Sequence, residues 1–373
     1  MSESYSEKID LRDFSFWGKT VRKRLLHNLE LELTARCNCD CRHCYINLPA
    51  GDNDARRKEL SREEIAEITA EVLDIGGFWV LLTGGEPLLR DDFFEIYLDL
   101  KRKGYLVSVF TNATVVTREH VELFRKYPPR DVEVSVYGVT ETTYERVTRK
   151  RGSFRAFQRG LNLLLEGGVK VRFKAMALQS NVKEMPQIAE FCRARTKDYF
   201  RFDPFLHLRY DRNPQRNREI IAERLAPEDV IALERNDLPR STVLLNECRA
   251  ISAVDYNPDL KDFIFTCTAG LISGSISYDG IFRLCSALWH QDCIYNLRRG
   301  NITDAWEKFG PQVLNLRSRK QLFFNNCQKC KLATICFWCP ANAFLETGEL
   351  DQPVENFCRM AHARLEANDG ESV

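Results

Sequence analysis

Three cysteines near the start of the chain have a spacing suited to an iron–sulfur cluster. Cys37, Cys41 and Cys44 form the pattern CxxxCxxC within the stretch TARCNCDCRHCY. Three thiolates on one short loop can bind three irons of a 4Fe–4S cube and leave the fourth iron open to a ligand. Such a cluster can pass one electron to a bound sulfonium and break its carbon–sulfur bond, which gives a primary carbon radical. A zinc loop or a chance grouping are the alternatives, and Cys39, which does not fit the spacing, is interpreted as a non-ligand.

A glycine-containing turn further along the chain points to a ligand of the same site. Thr83, Gly84, Gly85, Glu86 and Pro87 follow an apolar run at residues 78–82. Two glycines let backbone approach a ligand closely, and a carboxylate can pair with an amino group. In combination with the cysteine loop, this turn predicts a binding site for a molecule that carries an amino group.

The number of cysteines favours a metal protein over a disulfide protein. The chain has 14 cysteines, and nine of them lie at residues 37–44 and 327–358. In a reducing cytosol, clustered thiols bind iron or zinc rather than form disulfides.

The 54 basic and 53 acidic residues nearly balance, and no apolar run approaches the roughly 20 residues needed to span a bilayer. We therefore expect a cytoplasmic protein with no nucleic acid and no membrane among its partners.

Alternating apolar runs and amphipathic stretches must position these residues. Six strands are predicted near residues 31–35, 78–82, 106–110, 132–136, 169–178 and 200–208, with five intervening helices. The second run is apolar throughout, as in a parallel strand that is covered on both faces. Right-handed β/α units of this number form an incomplete barrel with a lateral opening. The predicted fold class is α/β, a partial (β/α)6 barrel of the TIM type.

The chain is predicted to divide into four segments. Residues 1–30 form an N-terminal extension, and residues 31–209 form the partial barrel. A polar stretch, a helix after Pro227 and an irregular piece make residues 210–262 a linker. From residue 263 to 373, cysteines, glycines and short apolar runs predict a domain that is held together by metal rather than by a large apolar core.

The cysteine loop and the glycine turn together resemble the radical S-adenosylmethionine (SAM) superfamily. The resemblance covers residues 31–209 and implies that the CxxxCxxC motif binds a catalytic 4Fe–4S cluster. It implies that Gly84, Gly85, Glu86 and Pro87 hold the methionine amino group of SAM. Weaker parallels assign SAM contacts to residues at strand ends and in the cysteine loop, namely His43, Asn112 and Ser135. For His43 and Ser135, the alternative is an ordinary loop or strand residue.

A second set of cysteines resembles the SPASM extension of radical SAM proteins. Its pattern is a cysteine, GxxxxC, CxxCx5CxxxC and a final cysteine, and it implies two auxiliary 4Fe–4S clusters. The chain departs from it once, since two residues rather than three separate Cys336 and Cys339. The cysteines that match are Cys267, Cys285, Cys327, Cys330, Cys336, Cys339 and Cys358. A structural zinc module is the alternative interpretation.

The resemblance divides these cysteines between two clusters. One cluster takes Cys327, Cys330, Cys336 and Cys358. The other takes Cys267, Cys285 and Cys339, which is one ligand short. Cys248 or Cys293 could complete this set, or a substrate group could bind the open iron. Cys192, in a predicted amphipathic helix, is interpreted as a small buried hydrophobe.

The resemblance implies an oxidoreductase that abstracts hydrogen from a substrate with a 5'-deoxyadenosyl radical. SPASM proteins mostly modify peptides, so the preferred substrate is a ribosomally made peptide that is cross-linked, oxidised or epimerised. A sulfatase-maturing activity is disfavoured, because Ser286 replaces the acidic residue expected after Cys285. Other hypotheses are a dehydrogenase or decarboxylase of a small molecule, such as an aminoglycoside precursor or a tetrapyrrole, and a non-catalytic iron–sulfur electron carrier. The catalytic acid or base remains unassigned.

The implied partners are an electron donor, such as flavodoxin or ferredoxin, and a separate leader-binding protein.

Three cations alternate along the predicted fifth strand and so share one face: Lys170, Arg172 and Lys174. They could bind an acidic substrate or the carboxylate of SAM, or they could form a solvated or helix-facing row.

Overall fold

A nine-stranded sheet forms the centre of the molecule. The computed structural model describes residues 23–250 and 263–369; parts of the predicted N-terminal extension, linker and C-terminal domain lie outside these ranges. The order of strands in the sheet is β11-β10-β9-β1-β4-β5-β6-β7-β8. The strands are β1 (Asn28–Thr34), β4 (Trp79–Gly84), β5 (Leu106–Thr111), β6 (Asp131–Ser135), β7 (Val171–Met176), β8 (Arg201–Asp203), β9 (Ser273–Ile276), β10 (Ile281–Arg283) and β11 (Tyr295–Asn296), with β2 (Arg36–Cys37) and β3 (Leu48–Pro49) in a separate pair.

Six of these strands form the predicted partial barrel. Strands β1, β4, β5, β6, β7 and β8 are all parallel to their neighbours. Strand β9 pairs parallel with β1, and β10 and β11 continue the sheet in antiparallel pairs. The cysteine-rich C-terminal part of the chain therefore extends the sheet of the barrel.

Helices connect the parallel strands, and further helices follow along the C-terminal part of the chain. The first seven are α1 (Asn53–Lys58), α2 (Arg62–Asp74), α3 (Phe93–Arg102), α4 (Arg118–Lys126), α5 (Glu141–Thr148), α6 (Ser153–Glu166) and α7 (Met185–Arg193). The later ones are α8 (Pro214–Ala222), α9 (Pro227–Arg235), α10 (Leu238–Ala250), α11 (Ile302–Asp304), α12 (Gly310–Leu314), α13 (Gln321–Phe323), α14 (Ala333–Cys336), α15 (Pro340–Thr347) and α16 (Glu355–Asp369). Among the described residues, no helix is long and apolar enough to cross a membrane.

Side chains alternate between the two faces of each strand. In β1, Leu29, Leu31 and Leu33 are buried in the main apolar core. The intervening residue Glu30 instead lines a cavity inside the barrel. Successive side chains of a strand point to opposite faces, so the same strands provide both the core and a polar interior.

Two stretches differ from the sequence prediction. Strands β7 and β8 are shorter than predicted, because residues 204–209 leave the sheet as an irregular segment. The stretch after residue 209, interpreted as a linker, contains α8 and α10 in addition to α9, which is the helix predicted after Pro227. Ile220 of α8 packs in the main apolar core, but most other residues of this helix are polar, which leaves little apolar periodicity to signal a helix.

Candidate active site

A cavity of about 410 Å³ lies at the carboxyl ends of the parallel strands. Parallel α/β folds place their ligand sites at this end of the sheet. All four cysteines of the first group contribute to its wall: Cys37, Cys39, Cys41 and Cys44. The other predicted site residues that line it are His43, Gly84, Gly85, Asn112 and Ser135. One site of a size suited to a drug-sized ligand thus unites predicted residues from four separate segments.

The cysteine loop holds its thiols in a buried polar setting. The amide of Cys39 lies 3.4 Å from the sulfur of Cys37, and the amide of Asn47 lies 3.3 Å from the sulfur of Cys44. Burial raises the pKa of the Cys41 thiol, and the neighbouring thiols of Cys44 and Cys37 raise it further. Thiolates crowded in this way require a positive partner, and an iron–sulfur cluster fits these donors.

The thiols do not converge on one point. Within residues 23–250 and 263–369, no three Cys, His, Asp or Glu side chains are arranged to hold a single metal ion. A 4Fe–4S cube makes a different demand, because each thiolate binds its own iron. Cys37, Cys41 and Cys44 share one cavity wall, as that mode of binding requires.

The two glycines allow the turn to dock on the cysteine loop. A Cβ atom at Gly84 would lie 2.1 Å from the carbonyl oxygen of Thr34, and one at Gly85 would lie 2.3 Å from that of Arg36. Gly84 also has a φ of 130°, which side chains disfavour. The amide of Gly85 donates to Thr34 and the amide of Glu86 donates to Arg36. The sequence predicted a close backbone approach to a ligand, whereas the structure shows an approach to the backbone that precedes Cys37.

Glu86 is fully buried behind the cavity wall. Its carboxylate accepts hydrogen bonds from the Thr111 hydroxyl at 2.8 Å, the Asn112 amide at 2.8 Å and the Leu88 amide at 3.2 Å. Burial raises its pKa to about 7, against the opposing effect of these donors. Glu86 therefore ties the end of β4 to the end of β5. The cavity wall itself includes Thr83, Gly84 and Gly85 rather than the Glu86 carboxylate.

The remaining predicted contacts surround the cysteine loop. The side-chain amide of Asn112 donates to Asn38 at 3.0 Å and lies 3.7 Å from the sulfur of Cys37. Ser135 ends β6 on the cavity wall. The His43 ring stands 5.2 Å from the ring of Tyr137. Burial, assisted by Lys174 and Arg216, lowers the pKa of His43 to about 3, so this imidazole is neutral.

Two arginines beyond the barrel hold the cysteine loop, and sequence reasoning missed both. Arg209 donates to the backbone and side-chain oxygens of Asn47, each at 3.2 Å. Arg216, on α8, donates to the carbonyl of Cys41 at 3.0 Å and pairs with Asp40 at 3.0 Å. Arg209 is the last residue of the predicted barrel and Arg216 lies in the stretch interpreted as a linker, and no local sequence signal connects either with residues 40–47.

Four C-terminal cysteines line a second cavity, of about 750 Å³. They are Cys327, Cys330, Cys336 and Cys358. Burial raises the pKa of Cys327 to about 12, and the other three thiols act in the same direction. The structure thus brings together the four cysteines that the sequence assigned to one auxiliary cluster. Cys248 packs in the same small cluster as Cys330 and Cys336, not beside the other cysteine set.

The remaining three cysteines lie on the side that faces the barrel. Burial raises the pKa of Cys285 to about 12, and the thiols of Cys339 and Cys267 contribute to the shift. Cys293 is fully buried and interacts electrostatically with Cys285. Of the two fourth ligands considered from the sequence, only Cys293 is therefore on this side. Ser286 reaches the wall of the first cavity and is hydrogen-bonded to Glu30.

Comparison with known sequences gives a family and several relatives. The model of the Radical SAM superfamily matches residues 31–192. The Fe-coproporphyrin III synthase of Methanosarcina barkeri is 25% identical over 373 residues, which cover 90% of this chain and 91% of that protein. The AdoMet-dependent heme synthase of the same organism is 31% identical over 166 residues, which cover 43% of this chain and 46% of that protein.

Comparison with solved structures shows the same fold. SuiB of Streptococcus suis, in complex with the precursor peptide SuiA, superposes with a TM-score of 0.66 over 96% of this chain and 83% of that one, at 14% identity. The protein anSMEcpe with bound AdoMet gives 0.62 over 92% of this chain and 96% of that one, also at 14% identity. At such low identity the likeness concerns the fold and not the substrate.

Proposed function

The chain carries a radical SAM domain over residues 31–192, and on that premise we propose that it is a radical SAM enzyme that abstracts hydrogen from a peptide. The observation that carries the enzymatic part is the single cavity shared by the cysteine loop, the glycine turn and the ends of β5 and β6. The cysteines that would bind the cluster are Cys37, Cys41 and Cys44. When bound, the cluster supplies the electron that breaks a carbon–sulfur bond of SAM.

The residues of the cavity have separate tasks in this proposal. The backbone at Gly84 and Gly85 would bind the methionine amino group, with Glu86 and Pro87 keeping that turn in place. Asn112 and Ser135 would offer polar contacts to the rest of SAM. His43, neutral at physiological pH, would pack against the nucleoside. Arg209 and Arg216 would keep the cysteine loop in position through Asn47 and the Cys41 carbonyl.

Cleavage of SAM is the direct test of this enzymatic activity. The protein, reconstituted with iron and sulfide under anaerobic conditions, is reduced with dithionite, and 5'-deoxyadenosine is measured by chromatography. We expect its formation to depend on Cys41, so Cys41→Ala should abolish it, whereas Cys192→Ala should not. Cys192 is buried in α7, as predicted, and lies outside the cavity. A wild-type protein with a full cluster and no cleavage would support the electron-carrier hypothesis instead.

Two auxiliary 4Fe–4S clusters are a further part of the proposal. One would be bound by Cys327, Cys330, Cys336 and Cys358. The other would be bound by Cys267, Cys285 and Cys339, with Cys293 as the candidate for the fourth position because it alone of the two options lies near Cys285. Iron analysis of the reconstituted protein should then find about twelve irons per chain. Cys330→Ala should remove about four of them and leave SAM binding intact.

A peptide is the substrate we favour. The fold is shared with SuiB, whose structure contains a precursor peptide, and this supports a barrel able to admit a peptide side chain. A cavity of about 410 Å³ suits SAM together with a small part of a substrate, so that the body of the substrate would remain outside. Reduction by flavodoxin or ferredoxin and peptide delivery by a leader-binding protein would complete the system.

Co-expression tests the peptide directly. Each short peptide encoded beside the gene is produced with the protein under anaerobic conditions in heavy water and analysed by tandem mass spectrometry. Loss of two hydrogens that depends on Cys41 indicates an oxidative maturase. Gain of one deuterium indicates epimerisation. No change in any peptide, while 5'-deoxyadenosine still forms, would contradict the peptide proposal.

A tetrapyrrole is the second candidate substrate. It is favoured by the similarity over nearly the whole chain to an Fe-coproporphyrin III synthase. The same reconstituted protein is incubated with SAM, dithionite and iron–coproporphyrin III, and the porphyrin is analysed for loss of carboxyl groups or hydrogen. Modification of the porphyrin without modification of any peptide would replace the first proposal by the second.

A further inference from the structure

Lys174 is a cation on the cavity wall that has no carboxylate in contact with it. It lies on β7, where Val171, Phe173 and Ala175 face the core. Lys174 lies on the opposite face and lines the cavity, with its ammonium 5.5 Å from the centre of the Phe110 ring. Among the described residues it forms no ion pair, and its interactions with charged groups act only at longer range.

Its two neighbours on the same face are already paired. Lys170 lies 3.7 Å from Asp198, and Arg172 lies 3.6 Å from Asp131. Neither residue lines the cavity. Of the three cations that the sequence placed on one face, only Lys174 is therefore available to a ligand.

The charged groups around Lys174 leave room for an anion. Arg201, on β8, pairs with Glu133 at 3.0 Å. Asp203 accepts a hydrogen bond from the Phe205 amide at 2.9 Å. Burial has the largest effect on the pKa of Lys174 and lowers it, and Arg201 lowers it further. Glu133, Asp203 and Glu30 raise this pKa, but the net shift is downward. The neighbouring carboxylates thus do not fully compensate the cost of burying this ammonium.

We propose that Lys174 binds a carboxylate of the substrate. A buried ammonium without a contacting anion is costly, and a carboxylate would supply a charge-assisted hydrogen bond to it. Both substrate classes considered above contain such a group, as an acidic side chain or terminus of a peptide or as a propionate of a tetrapyrrole. This inference rests on the proposed function and defines the chemistry that a substrate must offer.

The position of Lys174 favours the substrate over SAM as the source of the carboxylate. The glycine turn ends β4, and Lys174 is on β7, three strands away or about 14 Å along the sheet. The amino and carboxylate groups of SAM share one carbon atom. The Lys174 ammonium itself extends to the Phe110 ring of β5. A SAM molecule whose amino group lies at Gly84 and Gly85 would keep its carboxylate beside that turn, whereas the charged groups that act on Lys174 belong to β1, β6 and β8 and not to the turn.

The experiment compares binding of free acids and methyl esters. The reconstituted protein is saturated with SAM under anaerobic conditions and titrated with iron–coproporphyrin III, with each peptide encoded beside the gene, and with the methyl esters of both. Lys174→Met is compared with Lys170→Met, a matched control outside the cavity. We expect esterification to weaken binding roughly 10- to 100-fold in the wild type and in Lys170→Met, and to have no effect in Lys174→Met. The compound that shows this pattern identifies the source of the carboxylate.

Binding of SAM supplies the second arm. Lys174→Met should bind SAM within about twofold of the wild type and should retain the wild-type preference for SAM over decarboxylated SAM. Loss of that preference would mean that Lys174 binds the carboxylate of SAM, and the inference would be wrong. It would also be overturned if the variant distinguished acid from ester as the wild type does, or if no carboxylate compound bound to the wild type. Formation of 5'-deoxyadenosine by the wild type tests the proposed function separately from all of these outcomes.

Discussion

Individual residues of the cavity are divided between those that face a ligand and those that hold the wall. Glu86 belongs to the second group, because its three hydrogen bonds join the ends of β4 and β5. Thr111 is similarly occupied, since its hydroxyl donates to Glu86 and accepts from the Ala113 amide at 3.0 Å. Glu86 shows that a residue of a sequence motif can support a cavity wall without being part of its lining.

The buried carboxyl of Glu86 should make stability depend on pH. Its pKa is raised from the usual 4.5 to about 7. A carboxyl whose pKa is higher in the folded state stabilises the fold fully below about pH 4.5, and this contribution is lost as the pH rises through about 7. We expect the wild type to lose on the order of 3 kcal/mol relative to Glu86→Gln between pH 4.5 and pH 8.

Thermal unfolding of the reconstituted protein at several pH values measures this difference. Glu95→Gln, which neutralises an exposed carboxyl on α3, is the control and should follow the wild-type profile. Parallel profiles for the wild type and Glu86→Gln would show that Glu86 does not titrate in this range.

At the scale of elements, the cysteine loop is held from two directions. The glycine turn after β4 approaches it from one side through backbone contacts. Arg216 of α8 and Arg209 hold the other side through Cys41 and Asn47. A loop that would present three thiolates to one cluster needs such supports to hold its geometry.

Gly85→Ala tests the first support. The added methyl group would lie 2.3 Å from the Arg36 carbonyl and 2.5 Å from that of Ala35, both backbone atoms that cannot yield without moving the loop. We expect a loss of about 3 kcal/mol in stability and of most of the iron of the first cluster. Gly51→Ala, where no atom lies within 4 Å, should leave both unchanged. Equal iron content in the two variants would refute this interpretation.

Arg216→Gln tests the second support. It removes the hydrogen bond to Cys41 and the ion pair with Asp40, which should weaken the loop by about 1 kcal/mol and hasten the loss of the cluster in the presence of a chelator. Arg218→Gln removes the same charge from an exposed position on α8 and should lose the cluster at the wild-type rate. The decay of cluster absorbance after addition of the chelator decides between these outcomes.

At the scale of the whole molecule, a buried ion pair links the C-terminal part to the barrel. Arg283 of β10 donates to Glu32 of β1 at 3.0 Å, and both side chains are almost completely buried. The guanidinium also stacks on Trp289 at 3.8 Å. This contact lies between the two cysteine-containing parts of the chain, so it sets the position of Cys285 relative to the barrel cavity.

Arg283→Met should therefore destabilise the whole molecule. It leaves the buried carboxyl of Glu32 without its cation, which costs about 3–5 kcal/mol when one partner of a buried pair is removed. Neutralising the carboxyl as well, in Glu32→Gln/Arg283→Met, should restore part of the loss. Melting temperatures of the two variants and the wild type test this, and equal values for the single and double variants would contradict it.

The amino-acid sequence was sufficient for the radical SAM domain at residues 31–192, the fold class and the burial of Cys192. Regular alternation of apolar runs predicted the six parallel strands, and the spacing of Cys37, Cys41 and Cys44 on a short loop is a local property that sequence displays directly. The capping box of Ser61 and Glu64 is similarly local, and the structure contains it at the start of α2.

Only the tertiary structure decided which distant residues meet. Three contacts show this, and each joins residues that are far apart in sequence. Cys248 groups with Cys330 and Cys336, Arg216 contacts Cys41, and Arg172, unlike Lys174, pairs with a carboxylate. The physical reason is that such contacts depend on how strands and helices pack. A sequence by itself shows only which residues are neighbours along the chain.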